Sequence, residues 1–322
     1  MHRATAIDPG RFSSHRGVNR FQTLLLLGLM TGYAGLVGWL LWGVDGLWFV
    51  LVWGAVLVFL SPQLSARWVL RMYKARPIPL DQAPQYHRAL QVLAGRAGLP
   101  APPSLWWVPS PTVNAFAVGR REASAIAVTD GLLRSLAPHE LVAVLAHETA
   151  HIAHGDLMVM NLADVISRLT SAMSLVGLVF IFLSLPQALA GGEVEWWPLF
   201  LLAVAPQVNL LAQLGLSRTR EFDADLTAAR LTDDPQGMAS ALVKLERIER
   251  GFLRRFIFPG QGVPMPSWLR THPTNAERVQ RLLDLQRGGS SPWSSDFVFE
   301  PPSFPHIRVR QHPRGGWWGY WY

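Results

Sequence analysis

Apolar and polar positions divide the chain into long uncharged runs and shorter mixed segments. Residues 21–44 and 46–66 carry no charged side chain, with Asp45 between them, and 169–190 and 196–217 form a second such pair. Each matches the ~20 residues a helix needs to cross a bilayer core. The first pair predicts a tight helical hairpin ending near Pro62. The run 196–217 contains Pro206, Gln207, Asn209 and Gln213. It reads either as a span or as half of an apolar hairpin packed on a soluble domain. The first run is too long for a signal-peptide core and no small-residue cleavage pattern follows it, so it reads as a retained span.

The remaining segments predict a soluble portion in two pieces. Helical spacing over 85–97 ends at Gly98 and Pro100. Ser104–Val108, Val113–Val118 and Ala125–Val128 read as short strands, the last two as a hairpin around Arg120–Glu122. Pro138, with Glu140 close behind, predicts a helix start, and Leu141, Val142, Val144 and Leu145 give that helix an apolar face. Gly155 is a point where this helix loosens, although the pattern can run on toward the third apolar run. Residues 235–255 and 275–287 predict two amphipathic helices. The expected fold is mainly α with a small antiparallel β-sheet. Its segments are 1–20, a helical hairpin over 21–66, soluble pieces over 67–168 and 218–287 flanking the apolar pair 169–217, and a tail over 288–322 rich in Pro, Gly and Trp.

Composition strengthens the membrane reading. Half the residues are hydrophobic and 16% are charged, against about 25% in soluble domains. The net charge of +7 does not point to nucleic acid, because the basic residues flank the apolar runs and form no stripe. Arg3, Arg11, Arg16 and Arg20 precede the first run; Arg67, Arg71, Lys74 and Arg76 follow the second; Arg168, Arg218 and Arg220 flank the later pair. Glu193 and Glu195 lie between runs three and four. Four spans then put both termini and the soluble pieces on the cytoplasmic side of the cell membrane. Trp39, Trp42, Trp48, Trp196 and Trp197 mark the opposite interface.

The chain has no cysteine and ten histidines, so any metal is held by His, Asp or Glu. His147-Glu148-Thr149-Ala150-His151 places two imidazoles one helical turn apart on one face. Glu148, beside the first, can reach a water activated by a metal. A third protein ligand is then required. His154 lies only three residues on and reads as a flanking group. Glu221 and Asp225, one turn apart, suit a ligand and the acceptor of a ligand imidazole N–H; the competing reading is an ordinary acidic helix face. A metal transporter would need ionisable groups inside the spans, which lack them. A catalytically silent zinc-bearing membrane scaffold is the alternative function.

His147–His151 followed by Gly155-Asp156, then Glu221 to Asp225 after two apolar runs, resembles the HtpX-like membrane metalloproteases, relatives of the CAAX prenyl endoprotease. The resemblance covers roughly residues 20–285. It implies a zincin-like catalytic domain on transmembrane helices, one zinc ion per chain held by His147, His151 and Glu221, and support from Asp225. It implies that Asn114, Ala115, Phe116 and Ala117 form an edge strand binding an extended polypeptide, and that Thr271-His272-Pro273 with Arg278 forms a late His-Pro segment. His272 is a candidate oxyanion donor, with a turn histidine as the competing reading, and Arg278 is expected to pair with an acidic neighbour of the site. The implied function is zinc endopeptidase activity toward misfolded or membrane-associated proteins, with Glu148 as base.

Overall fold

The structure, a computed structural model, describes residues 9–59, 66–191, 196–256 and 275–284. Pro62, His272 and the tail from 288 lie outside the described residues. A hairpin of helices α1 (Pro9–Trp42) and α2 (Val44–Phe59) opens the chain. The break falls at Gly43, with φ of 59°, rather than at Asp45 and Gly46, which form the first turn of α2. The two helices touch backbone to backbone: a Cβ built on Gly46 would lie 1.9 Å from the Gly38 carbonyl oxygen. Small residues at such a crossing permit close packing in lipid. Gly46→Ala should therefore destabilise the detergent-solubilised protein by about 1–3 kcal/mol. Gly54→Ala, with nothing within 4 Å, should not. Equal thermal midpoints for both variants would show that the helices do not meet at this glycine pair.

Two long helices, α7 (Asp156–Leu189) and α8 (Trp196–Thr232), pack on α1. Helices α1, α7 and α8 are long and apolar enough to cross a membrane, whereas α2, at 16 residues, is shorter than the expected span. Their apolar side chains face outward: Leu24 is 72% and Phe182 75% exposed, as suits lipid contact. Between α7 and α8, buried Asn209 donates to Thr170 Oγ1 at 2.7 Å, a polar link between two apolar helices. Helix α8 has 37 residues, a rod about 55 Å long against a hydrocarbon core of ~30 Å. It therefore runs from the apolar bundle into the sheet-bearing part of the chain without a break.

After α3 (Ala66–Met72), the chain forms a four-stranded sheet of β1 (Arg76–Pro77), β2 (Ser104–Val108), β3 (Ala115–Arg120) and β4 (Ala123–Thr129); α6 (Pro138–His154) packs on β3 and β4, and α4 (Pro84–Ala97) and α9 (Pro235–Phe256) pack on α6. Helices α5 (Asp130–Ser135) and α10 (Asn275–Asp284) complete the described elements. The sheet order is β1-β2-β4-β3. The expected antiparallel pairing holds for β1–β2 and β3–β4, but the sheet is mixed. Strands β3 and β4 form the antiparallel hairpin, but β2 pairs parallel with β4. After β2 the chain passes beyond β4 before turning back, so the hairpin presents β4 to β2 and leaves β3 at the free edge. Thr129 fixes this crossing: its hydroxyl donates to Thr112 O at 2.6 Å, and it accepts from Leu132 N–H to cap α5. The core joins Leu90 and Leu93 of α4, Ile126 and Val128 of β4, Leu145 of α6, Leu231 of α8 and Met238 of α9.

Candidate metal centre

Helix α6 starts at Pro138, where a missing N–H costs nothing, and Glu140 accepts from the Ala137 N–H at 2.7 Å. It ends at Gly155, whose φ of 71° is left-handed, the usual conformation closing a helix. Helix α7 starts at the next residue. The HExxH residues occupy the last turns of α6. The four-residue spacing brings His147 Nε2 and His151 Nε2 to 3.0 Å. From α8, Glu221 Oε2 lies 3.5 Å from His147 Nε2 and Oε1 lies 3.9 Å from His151 Nε2. One donor atom from each of His147, His151 and Glu221 lies within 4.8 Å of the others.

The other face of each imidazole is occupied. His151 Nδ1 is 2.7 Å from Asp156 Oδ2. His147 Nδ1 is 3.0 Å from Asp225 Oδ1, close enough for an ion pair though bent from good hydrogen-bond alignment. Arg278 from α10 grips Asp225 at 2.6 and 2.7 Å and reaches Glu221 Oε2 at 3.1 Å. With Nδ1–H directed at a carboxylate, each neutral imidazole turns the Nε2 lone pair toward the other and toward Glu221. Three acceptors facing one another repel unless a cation or protons lie between them. Two imidazoles and a carboxylate are a donor set that suits zinc, so the residues fit the ion. Without a cation the protons win. Burial opposes charge on His147, yet Asp225 and Glu221 lift its pKa to about 10. Burial and His147 oppose charge on His151, and Asp156 and Glu221 raise it overall.

Glu148 faces the same space from α6. Burial pushes its carboxyl above the ordinary range, while His151 and His147 pull it down and the Ala117 N–H donates to it. That donor comes from the free edge. Asn114 spends its main chain on Thr129, its N–H donating to Oγ1 at 3.0 Å and its C=O accepting the Thr129 N–H at 3.0 Å. Antiparallel alternation then points the main-chain groups of Ala115 and Ala117 away from β4. Phe116 pairs inward with Ala127 and packs on Tyr73.

Among the sequence-derived residues, the structure brings together His147, Glu148, His151, Glu221 and Asp225, with Ala117 beside them. His154 stands apart from the donor group, its Nδ1 3.4 Å from Asp223 and its Nε2 3.2 Å from Thr227 Oγ1. Sequence reasoning gave Asp156 no role of its own, though it follows the helix-ending Gly155 and therefore turns back on the last turn of α6. It also counted Arg220 among the membrane-flanking charges. Arg220 is 7% exposed and ion-paired with Asp156 and Asp223, so it belongs to the interior.

Residues 80–286 match the model of Peptidase family M48. The chain is 32% identical over 293 residues to "Protease HtpX homolog" of Ralstonia nicotianae, covering 85% of this chain and 99% of that one. It is 36% identical over 282 residues to "Protease HtpX" of Legionella pneumophila, covering 82% and 98%. Among solved structures, S. mikatae Ste24p aligns with a TM-score of 0.48 and 20% identity, over 84% of this chain and 66% of that one. With helices fit to span a membrane and a His-His-Glu donor group, the chain belongs to peptidase family M48 and is a membrane metallopeptidase.

Proposed function

We propose that the chain is a zinc endopeptidase that cleaves polypeptides at the cytoplasmic face of the membrane. The observation that carries this reading is the pair of imidazoles whose Nδ1 atoms meet Asp156 and Asp225, leaving both Nε2 atoms facing Glu221 with Glu148 alongside. His147, His151 and Glu221 would hold the ion. When bound, zinc supplies Lewis acidity, making a water more acidic and polarising a carbonyl. Glu148 accepts the proton of the attacking water and delivers it to the leaving amine nitrogen. Asp156 and Asp225 keep the imidazole tautomers fixed. An extended substrate adds to the free edge of β3 through the outward N–H and C=O of Ala115 and the C=O of Ala117, the Ala117 N–H being held by Glu148. Strand addition reads backbone more than side chains, which suits misfolded or membrane-associated polypeptides lacking structure of their own.

The metal test is direct. The detergent-purified chain should carry about one zinc, lose cleavage of an unstructured protein on chelation, and regain it with zinc. Glu221→Gln should lose both zinc and cleavage. Cleavage that survives complete metal removal would sink the zinc mechanism. Since protons occupy the metal-free imidazoles, zinc affinity should fall as pH falls, each ion displacing protons. A pH-independent affinity would contradict the carboxylate-held imidazoles.

The cytoplasmic placement rests on Arg67, Arg71 and Lys74 after the second apolar run and on Arg3, Arg11, Arg16 and Arg20 before the first. A chain without cysteine allows this to be read by labelling. Glu122→Cys, on the exposed β3–β4 turn, should react with an impermeant maleimide only after the cells are opened. Ala190→Cys, at the far end of α7, should react in intact cells from the periplasmic or outer side. The opposite pattern would invert the topology.

A further inference from the structure

We propose that Arg220 is a positioning residue for the metal centre, holding Asp156 against His151 and thereby setting the direction of that ligand's Nε2. This rests on the zinc reading above. Arg220 lies one residue before Glu221 on α8, but its side chain points to the other side of the site. There its Nε donates to Asp156 Oδ1 at 2.5 Å and its Nη2 meets the same oxygen. The second oxygen of Asp156 accepts from His151 Nδ1 at 2.7 Å. The carboxylate is thus divided, one oxygen to the guanidinium and one to the ligand imidazole, with its side chain 4% exposed. Nη2 also lies 3.4 Å from Asp223 Oδ2, the partner of His154, and Nη1 lies 3.5 Å from Thr23 Oγ1 of α1.

Three membrane helices therefore meet at one buried cation: α7 supplies Asp156, α8 supplies Arg220 and Asp223, and α1 supplies Thr23. Without the cation, Asp156 would sit buried beside Asp223 with two charges to share among imidazoles, and its grip on His151 would loosen. The fork geometry matters. A guanidinium can send two N–H groups to one carboxylate while a third nitrogen faces elsewhere; an ammonium is a point charge on a flexible stem.

The test is zinc affinity of the detergent-purified full chain, measured by competition with a chromophoric chelator. Arg220→Lys keeps the buried charge and should weaken zinc binding about tenfold; Arg220→Gln combined with Asp223→Asn removes one buried cation and one anion, and should weaken it about 10- to 100-fold. If that pair fails to fold, the lysine variant decides alone. Arg168→Lys, on an exposed pair with Asp164, should match the parent. In an Asp156→Asn background the Arg220→Lys loss should nearly vanish, because the route to the metal is already cut. A lysine variant with parental affinity, or a loss fully additive with Asp156→Asn, would overturn the proposal while leaving the zinc reading intact. A parent that binds no zinc would overturn both.

Discussion

Glu148→Gln should reduce kcat for peptide cleavage by about 10³-fold or more, toward the upper end of what a positioned general base supplies, while zinc content stays at the parental level. The substitution keeps size and leaves an oxygen for the Ala117 N–H. It does not touch the donor atoms of His147, His151 or Glu221. What it removes is the capacity to take a proton. A fall in kcat with little change in KM is the signature, since the lost interaction is made in the transition state. The same carboxyl predicts the acid side of the pH profile. Burial raises its pKa, so the ionised form is lost as pH falls through a value above the ordinary carboxylate range. The acid limb of kcat/KM should lie correspondingly high and disappear in the glutamine variant. Parental activity in that variant would remove Glu148 from the mechanism, and loss of zinc would recast it as a structural residue.

How much of this was visible in the sequence depends on the length scale over which each feature acts. The helix carrying His147 and His151 was readable because Pro138, the apolar face and Gly155 are all local signals, and they bound α6 closely. The β3–β4 hairpin was readable for the same reason. The parallel pairing of β2 with β4 was not, since nothing in Ser104–Val108 records which strand of a later hairpin it will meet. Apolar runs marked the membrane helices, but charge content placed their ends poorly: α7 starts at Asp156, well before the run at 169, and α8 continues past 217 to Thr232. Both extensions bury polar groups in the protein: Asp156, Asn161 and Asp164 on α7, and Arg220, Asp223 and Asp225 on α8. The buried pairing of Arg220 was not legible on that account. A cation just beyond an apolar run has the appearance of a lipid-headgroup contact, and only the fold supplies Asp156, 64 residues away. Glu221 and Asp225 were nameable as a pair, while their choice over other acidic groups leaned on family resemblance.

Arg278 is where a single substitution should cost the most stability. Its side chain is 8% exposed and makes two hydrogen bonds to Asp225, with Glu221 Oε2 at 3.1 Å. The sequence expectation that it pairs with an acidic neighbour of the site matches this geometry. Arg278→Met fills similar space but leaves two buried carboxylates without their cation, a change worth about 3–5 kcal/mol. Arg281→Met on the same helix breaks an exposed i,i+4 pair with Glu277 and a contact over the Phe222 ring; it should cost about 1 kcal/mol. Helix α10 ties to the core through Leu282 and through this ion pair, so loss of Arg278 should also expose it to early proteolysis. Adding Asp225→Asn to Arg278→Met removes one of the abandoned charges and should recover part of the loss. Thermal unfolding of the four chains checks both points. If Arg278→Met proves no worse than Arg281→Met, the buried pair does not hold α10 to the site.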